Sequence, residues 1–293
     1  MYINTDENQH YAKIKRILLV ILLLNWAVAA VKIIYGLITG SHSITADGFH
    51  SLSDGASNII GFIGIHIASQ PKDSEHPYGH KKYETLFSLF IAFMLFIIAI
   101  NLLRQSIPRL SNPIIPKINL FSFIIMLTTF VINIFVVKYE SKQGNLLKSD
   151  ILTADAIHTK TDLLITSSVF VALIAIKLGF PIMDLVIAIL ISIFIAKSGI
   201  KIVKSSAAIL CDTQSIEDTK KVSNIVLSVR GVKSCHKIRS RGRKDDIYLD
   251  LHVQVEPNMP IDKAHQISNK IETLIKDKLD GVTDVIIHLE PKH

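Results

Sequence analysis

Six apolar stretches, each near the roughly 20 residues that a helix needs to cross a bilayer, constrain this chain more than anything else in it. They cover Ile14–Ile38, Ser43–Ala68, Glu84–Leu103, Leu120–Val137, Ile151–Leu178 and Ile182–Val203. Hydrophobic residues make up 49% of the 293 positions and the mean hydropathy is +0.40, high for a soluble chain of this length. The basic residues sort by side. Lys13, Lys15, Arg16, Lys72, Lys81, Lys82, Lys138, Lys142, Lys148, Lys201 and Lys204 flank one side of the six runs, against Arg104, Arg109, Lys117 and Lys177 on the other. The positive-inside rule then places both termini in the cytoplasm of a multi-pass protein of the cell membrane. It also accounts for the net charge of +7 without nucleic acid as a partner. The expected organisation is a polar tail over 1–12 with no cleavable signal, a six-helix transmembrane domain over 13–206 and a cytoplasmic domain over 207–293.

Two of the runs open on nearly the same nine residues. Ala46-Asp47-Gly48-Phe49-His50-Ser51-Leu52-Ser53-Asp54 and Ala154-Asp155-Ala156-Ile157-His158-Thr159-Lys160-Thr161-Asp162 both read A-D-x-x-H-[ST]-x-[ST]-D. At 3.6 residues per turn this spacing lines Asp, His and Asp along one helical stripe. Six crossings make the second and fifth runs antiparallel, which brings His50 level with Asp162 and Asp54 level with His158. An Asp at the centre of a spanning helix costs about 2.5–3.5 kcal/mol, so four ionisable groups there need a use. Two imidazoles and two carboxylates suit a tetrahedral divalent ion such as zinc; the plainer alternative is a hydrogen-bonded cluster packing two helices. Asp47 and Asp155 fit supporting or packing roles better than ligation, and Lys32 either pairs with Asp47 or reaches outward. Because the motif helices are the middle helices of two three-helix halves, the plan also fits an inverted repeat.

Two further donor groups lie outside the spans. The loop Asp73-Ser74-Glu75-His76-Pro77-Tyr78-Gly79-His80 offers Asp73, His76 and His80 within eight residues, enough to wrap a second ion. After Ser205 the composition becomes that of a soluble domain. A helix over Ile216–Val229, strands over Val232–Arg241 and Ile247–Val255, a helix from Pro260 to Leu279 and a strand over Val282–Leu289 give the order αββαβ, a two-layer α+β domain. Within it His236, His252, His265, His288 and Glu290 stand where they could converge on the sheet, against the plain reading of half-buried polar residues. Cys211 and Cys235 are too few for a thiolate cluster or a disulfide framework, and Cys235 reads as a small buried thiol. There is no H-E-x-x-H, P-loop or G-x-S-x-G motif, so nothing marks a protease, an ATPase or a hydrolase, and the chain reads as a non-enzyme.

In order along the chain, Ala46–Asp54, Gln70–His80, Asp155–Asp162 and Ile286-Ile287-His288-Leu289-Glu290-Pro291 resemble the cation diffusion facilitator family, over nearly the whole length. The resemblance implies a homodimer, a ferredoxin-like cytoplasmic domain, and efflux of a divalent metal in exchange for protons. By position it implies a transport site at His50, Asp54, His158 and Asp162 and a loop site at Asp73, His76 and His80. It further implies a regulatory cytoplasmic site at His236, His252, His288 and Glu290, with His265 bridging. Two histidines with two aspartates look like the zinc-selective members, since imidazole favours zinc over the harder manganese ion. The alternatives are the same carrier working on manganese, iron, cobalt or cadmium, and a membrane metal sensor or scaffold through which nothing crosses.

Overall fold

The computed structural model describes residues 5–39, 42–109, 120–177 and 182–292. The chain divides into two compact units, Met1–Ser206 and Ala207–His293.

The first unit is built from α1 (Thr5–Thr39), α2 (His42–Ala68), α3 (Lys82–Arg109), α4 (Leu120–Leu146), α5 (Asp150–Lys177) and α6 (Ile182–Leu210). Its buried seam runs through Ile14, Leu18 and Ile21 of α1, Ile65 of α2, Ile91 and Leu95 of α3, Val136 of α4, Ile151 and Leu152 of α5, and Ile195 and Ile202 of α6. The outward faces are also apolar: Val20, Leu23, Val31, Phe90, Phe93, Ile97, Leu190 and Ile193 are all exposed. A helix that is hydrophobic all round is at home in lipid, where its backbone groups are satisfied internally. Among the described residues three helical segments are long and apolar enough to cross a membrane: Gln9–Tyr35, Lys82–Arg104 and Val186–Leu210. The sequence expects six. Ser57–Ala68 of α2 is a shorter apolar segment.

Small residues let the helices approach closely. A Cβ on Gly61 would meet Ile151 and Leu18, and one on Gly64 would meet Phe87 and Ile151. Hydrogen bonds tie the same bundle. Ser149, at the N-cap of α5, accepts from the Leu152 N–H at 3.2 Å and donates to Glu84 of α3 at 2.5 Å. Thr85 donates to Asp150 at 2.7 Å, and Lys15 of α1 to Ser69 at 2.7 Å.

Two boundaries differ from the sequence reading. Residues 5–12 are not a free tail but the first turns of α1, where Tyr11 is only 3% exposed and joins the seam. Helix α4 does not stop at Val137 but runs on to Leu146, because the polar stretch Lys138–Gly144 still packs one face inward, with Glu140 buried.

The second unit follows the order α7 (Thr219–Leu227), β1 (Ser234–Arg243), β2 (Asp246–Val255), α8 (Ile261–Lys278), β3 (Val282–Pro291). The sheet order is β1-β2-β3, with β1 antiparallel and β3 parallel to β2. Asp218 caps α7, its carboxylate accepting from the Lys220 N–H at 3.2 Å. The hairpin turn is shorter than the sequence suggests: β1 continues through Gly242, at φ 105°, and Arg243, which pair with Ile247 and Asp246. Along β2, Leu249, Leu251, Val253 and Val255 face a core shared with Val222, Val226, Ile271 and Ile275 of the helices. Period-two alternation therefore turns Asp250, His252 and Gln254 to the helix-free face.

Candidate metal centres

Helices α2 and α5 pack antiparallel. Asn58 donates a buried hydrogen bond to Asp155, while Gly61 and Gly64, further along α2, face Ile151, earlier on α5. Continued one turn in the other direction, this register brings position 54 level with His158, and position 50 level with Asp162. The side chains of His50, Asp54 and Asp47 lie outside the described residues. On α5, His158 is only 2% exposed, and neither ring nitrogen has a hydrogen-bond partner among the described residues. A buried imidazole with two unused nitrogens is costly unless something else occupies them. It lines a cavity together with Thr159 and Asp162 of α5, Ser51 and Ser57 of α2, Asn25 and Val28 of α1, and Thr129 and Asn133 of α4. Lys32 of α1 is buried and donates to Ser51 at 3.0 Å, so its ammonium turns inward.

The loop between α2 and α3 is folded around Asp73. Its Oδ1 accepts from the N–H groups of Glu75 at 3.0 Å and His76 at 2.6 Å, a local Asx-type turn. Gly79, at φ 90°, then turns the chain so that His80 comes back to the same carboxylate. His76 Nδ1 stands 3.1 Å from Oδ1 and His80 Nε2 3.4 Å from Oδ2, and one donor atom from each of the three residues lies within 4.8 Å of the others. The His76 N–H holds the Asp73 carboxyl below the usual carboxylate range. Tyr83 closes the group, its hydroxyl 3.3 Å from His76 Nε2.

In the second unit the strand register assembles the donors. His236 pairs with His252 across β1 and β2, and His252 with His288 across β2 and β3, so three histidines stand in one row on the helix-free face. The row ends at a β-bulge after His236, where Lys237 adopts φ 50°. Glu290, two residues beyond His288 on the same face, reaches back over the row. Its carboxylate lies 2.6 Å from His252 Nδ1, 3.2 Å from His236 Nε2 and 3.7 Å from His288 Nε2. Two donors on one tetrahedral zinc, each about 2.0–2.1 Å from the ion, stand roughly 3.3 Å apart, so the spacing suits a shared ion. The hydrogen bond from His252 is the main reason the Glu290 carboxyl sits below its ordinary range. Cys235 does not join in, and burial pushes its thiol up, away from the thiolate a metal requires.

His265 is not brought into this row. It lies exposed on α8, which covers the opposite face of the sheet, and its Nε2 meets Asn269 of the same helix at 3.3 Å. Two residues beside the transport motif escape sequence reasoning. Glu140 of α4 is fully buried and accepts from Thr159 at 3.2 Å, although the sequence puts it in a loop; Asn58 holds Asp155, which is itself 0% exposed.

Apolar-faced helices enclosing imidazole and carboxylate, joined to an α+β unit with its own donor row, define a helical membrane protein equipped for cations. Residues 18–211 match the cation efflux transmembrane domain and residues 215–292 the cation efflux protein cytoplasmic domain, and the chain belongs to the cation efflux family. An uncharacterized transporter of Methanocaldococcus jannaschii is 31% identical over 265 residues, covering 89% of this chain and 91% of its own. The manganese efflux system protein MneS of Bacillus subtilis is 26% identical, over 90% of each chain. The cation-efflux pump FieF of Cronobacter sakazakii is 28% identical, over 89% of this chain and 87% of its own. The family is one of membrane transporters, and the protein is accordingly a transporter of metal cations.

Proposed function

We propose that the protein exports a divalent cation, zinc in the first place, from the cytoplasm in exchange for protons. The cargo is held by His50, Asp54, His158 and Asp162 between α2 and α5. The observation that carries this reading is His158: a buried imidazole with neither nitrogen hydrogen-bonded among the described residues, opening on the cavity that Asp162 also lines. Mixed nitrogen and oxygen donors favour zinc, and imidazole must be neutral to ligate, so protons entering from outside compete with the ion and release it. All six long helices span the bilayer of the cell membrane, over 13–206, with both ends inside. The domain over 207–293 is a ferredoxin-like module that pairs two copies into a homodimer. In this reading Asp73, His76 and His80 collect ions at the cytoplasmic face, while His236, His252, His288 and Glu290 bind zinc as its level rises and favour the active state.

The test is flux into proteoliposomes. Asp162→Ala and Asp54→Ala abolish metal-dependent proton movement while the protein still folds; unchanged zinc flux in both variants sinks the assignment. Manganese is the second reading, favoured by the similarity to the manganese efflux system protein MneS. A panel of zinc, manganese, iron, cobalt and cadmium in the same assay separates the two, and metal binding with no proton-coupled flux for any of them points instead to a sensor.

A further inference from the structure

Glu140 and Asp155 face each other from α4 and α5 with their carboxyl groups in hydrogen-bonding reach, and both are 0% exposed. Each accepts a hydrogen bond through one oxygen. Glu140 Oε2 accepts from the Thr159 hydroxyl at 3.2 Å, and among the described residues Oε1 has no hydrogen-bond donor. Asp155 Oδ2 accepts from Asn58, the Ser57 hydroxyl is also in hydrogen-bonding reach of the carboxyl, and among the described residues Oδ1 has no donor. One turn further along the same stripe of α5 stands His158, also buried and with neither nitrogen hydrogen-bonded among the described residues. Anchoring one atom of a carboxylate and presenting the other is how polar neighbours orient metal ligands. Two buried carboxylates in contact repel unless a positive charge or a shared proton lies between them.

We propose that Glu140 and Asp155 form a second cation station in the membrane unit, beside the motif quartet, in which α4 contributes a ligand to an ion in transit. The unused oxygens of the pair bind the ion, and the Thr159 hydroxyl and Asn58 amide keep them aimed. Two carboxylates make this station harder than the quartet, so it takes manganese and other oxygen-preferring divalent ions readily, and ions pass between it and His158. It rests on the transport reading above but adds a residue from a third helix.

The test counts ions on the full chain in lipid nanodiscs, with His76, His80, His252 and His288 replaced by Ala to silence the other two donor groups. Mn2+ is the probe, its free concentration read by electron paramagnetic resonance. The expected result is two ions per chain, falling to one in Glu140→Gln, whose amide oxygen still accepts from Thr159, and in Asp155→Asn. Glu140→Asp, which keeps the charge on a shorter arm, binds the second ion about tenfold or more weaker. A count of one ion per chain that Glu140→Gln leaves unchanged overturns the station and makes the pair a shared-proton clasp between helices. A Glu140→Gln protein that elutes as aggregate is replaced by Glu140→Asp, for which unaltered Mn2+ affinity is equally fatal. Asp162→Ala in the proteoliposome flux assay separates the two ideas: if it leaves flux intact the transport reading fails, whereas the Glu140 count in nanodiscs stands or falls on binding alone.

Discussion

Asn58 shows how much one amide can hold in a low-dielectric bundle. It accepts from Asn25 of α1 at 3.1 Å and donates to Asp155 of α5, so three helices meet at a single side chain. Replacing it by Leu takes one donor from the buried Asp155 and the acceptor from the half-buried Asn25, a loss of about 1–3 kcal/mol at the buried group. The measurement is thermal unfolding in detergent: Asn58→Leu melts lower than the parent protein. Glu290 gives a pH prediction. Its folded carboxyl is held below the ordinary range, chiefly by the His252 hydrogen bond. Its contribution to stability is therefore complete above the unfolded carboxylate value, about 4.3, and is lost as pH falls through the lower folded value. Hydrogen exchange of the β3 amides, followed downward from about pH 5, rises less steeply in Glu290→Gln than in the parent.

At the scale of elements, the three-strand register determines which histidines act together. His252→Ala is expected to weaken zinc binding at the row by about tenfold or more, while His265→Ala leaves it unchanged, because α8 lies across the sheet from the row; isothermal titration distinguishes them. The sequence already showed the stripe on α2 and α5, the wrapping loop and the αββαβ order, since these rest on local spacing. It could not assign His265, because αββαβ does not say which sheet face a helix covers. Nor could it find Glu140, because the far end of α4 is polar by composition and only packing against Thr159 shows that the helix continues with one face buried. Tyr11 was lost for the converse reason: an aromatic ring in a polar segment has no periodic partner until α1 is drawn out to Thr5.

For the whole molecule, an ion that binds only the folded chain raises its stability by mass action. Zinc at about 100 times its dissociation constant contributes about 2.7 kcal/mol per site, so the melting temperature climbs with zinc and returns on adding a chelator. A melting temperature indifferent to zinc in the parent protein contradicts all of the proposed donor groups at once. The bundle is also uneven along its length. Gly61 and Gly64 bring α2 against Ile151 and Phe87, whereas the cavity lies toward the other end of the same helix pair. Gly64→Leu is expected to push the helices apart there and to lower the unfolding temperature, an effect circular dichroism detects.

Two rods pinched together near one tip swing most freely at the other. The glycine contact is the tight end of this helix pair, and His158 and Asp162 lie beyond the Asn58 clasp, on the side of the cavity. If the two helices tilt about Gly61 and Gly64, the gap lined by His158 and Asp162 changes more than the spacing at the glycines.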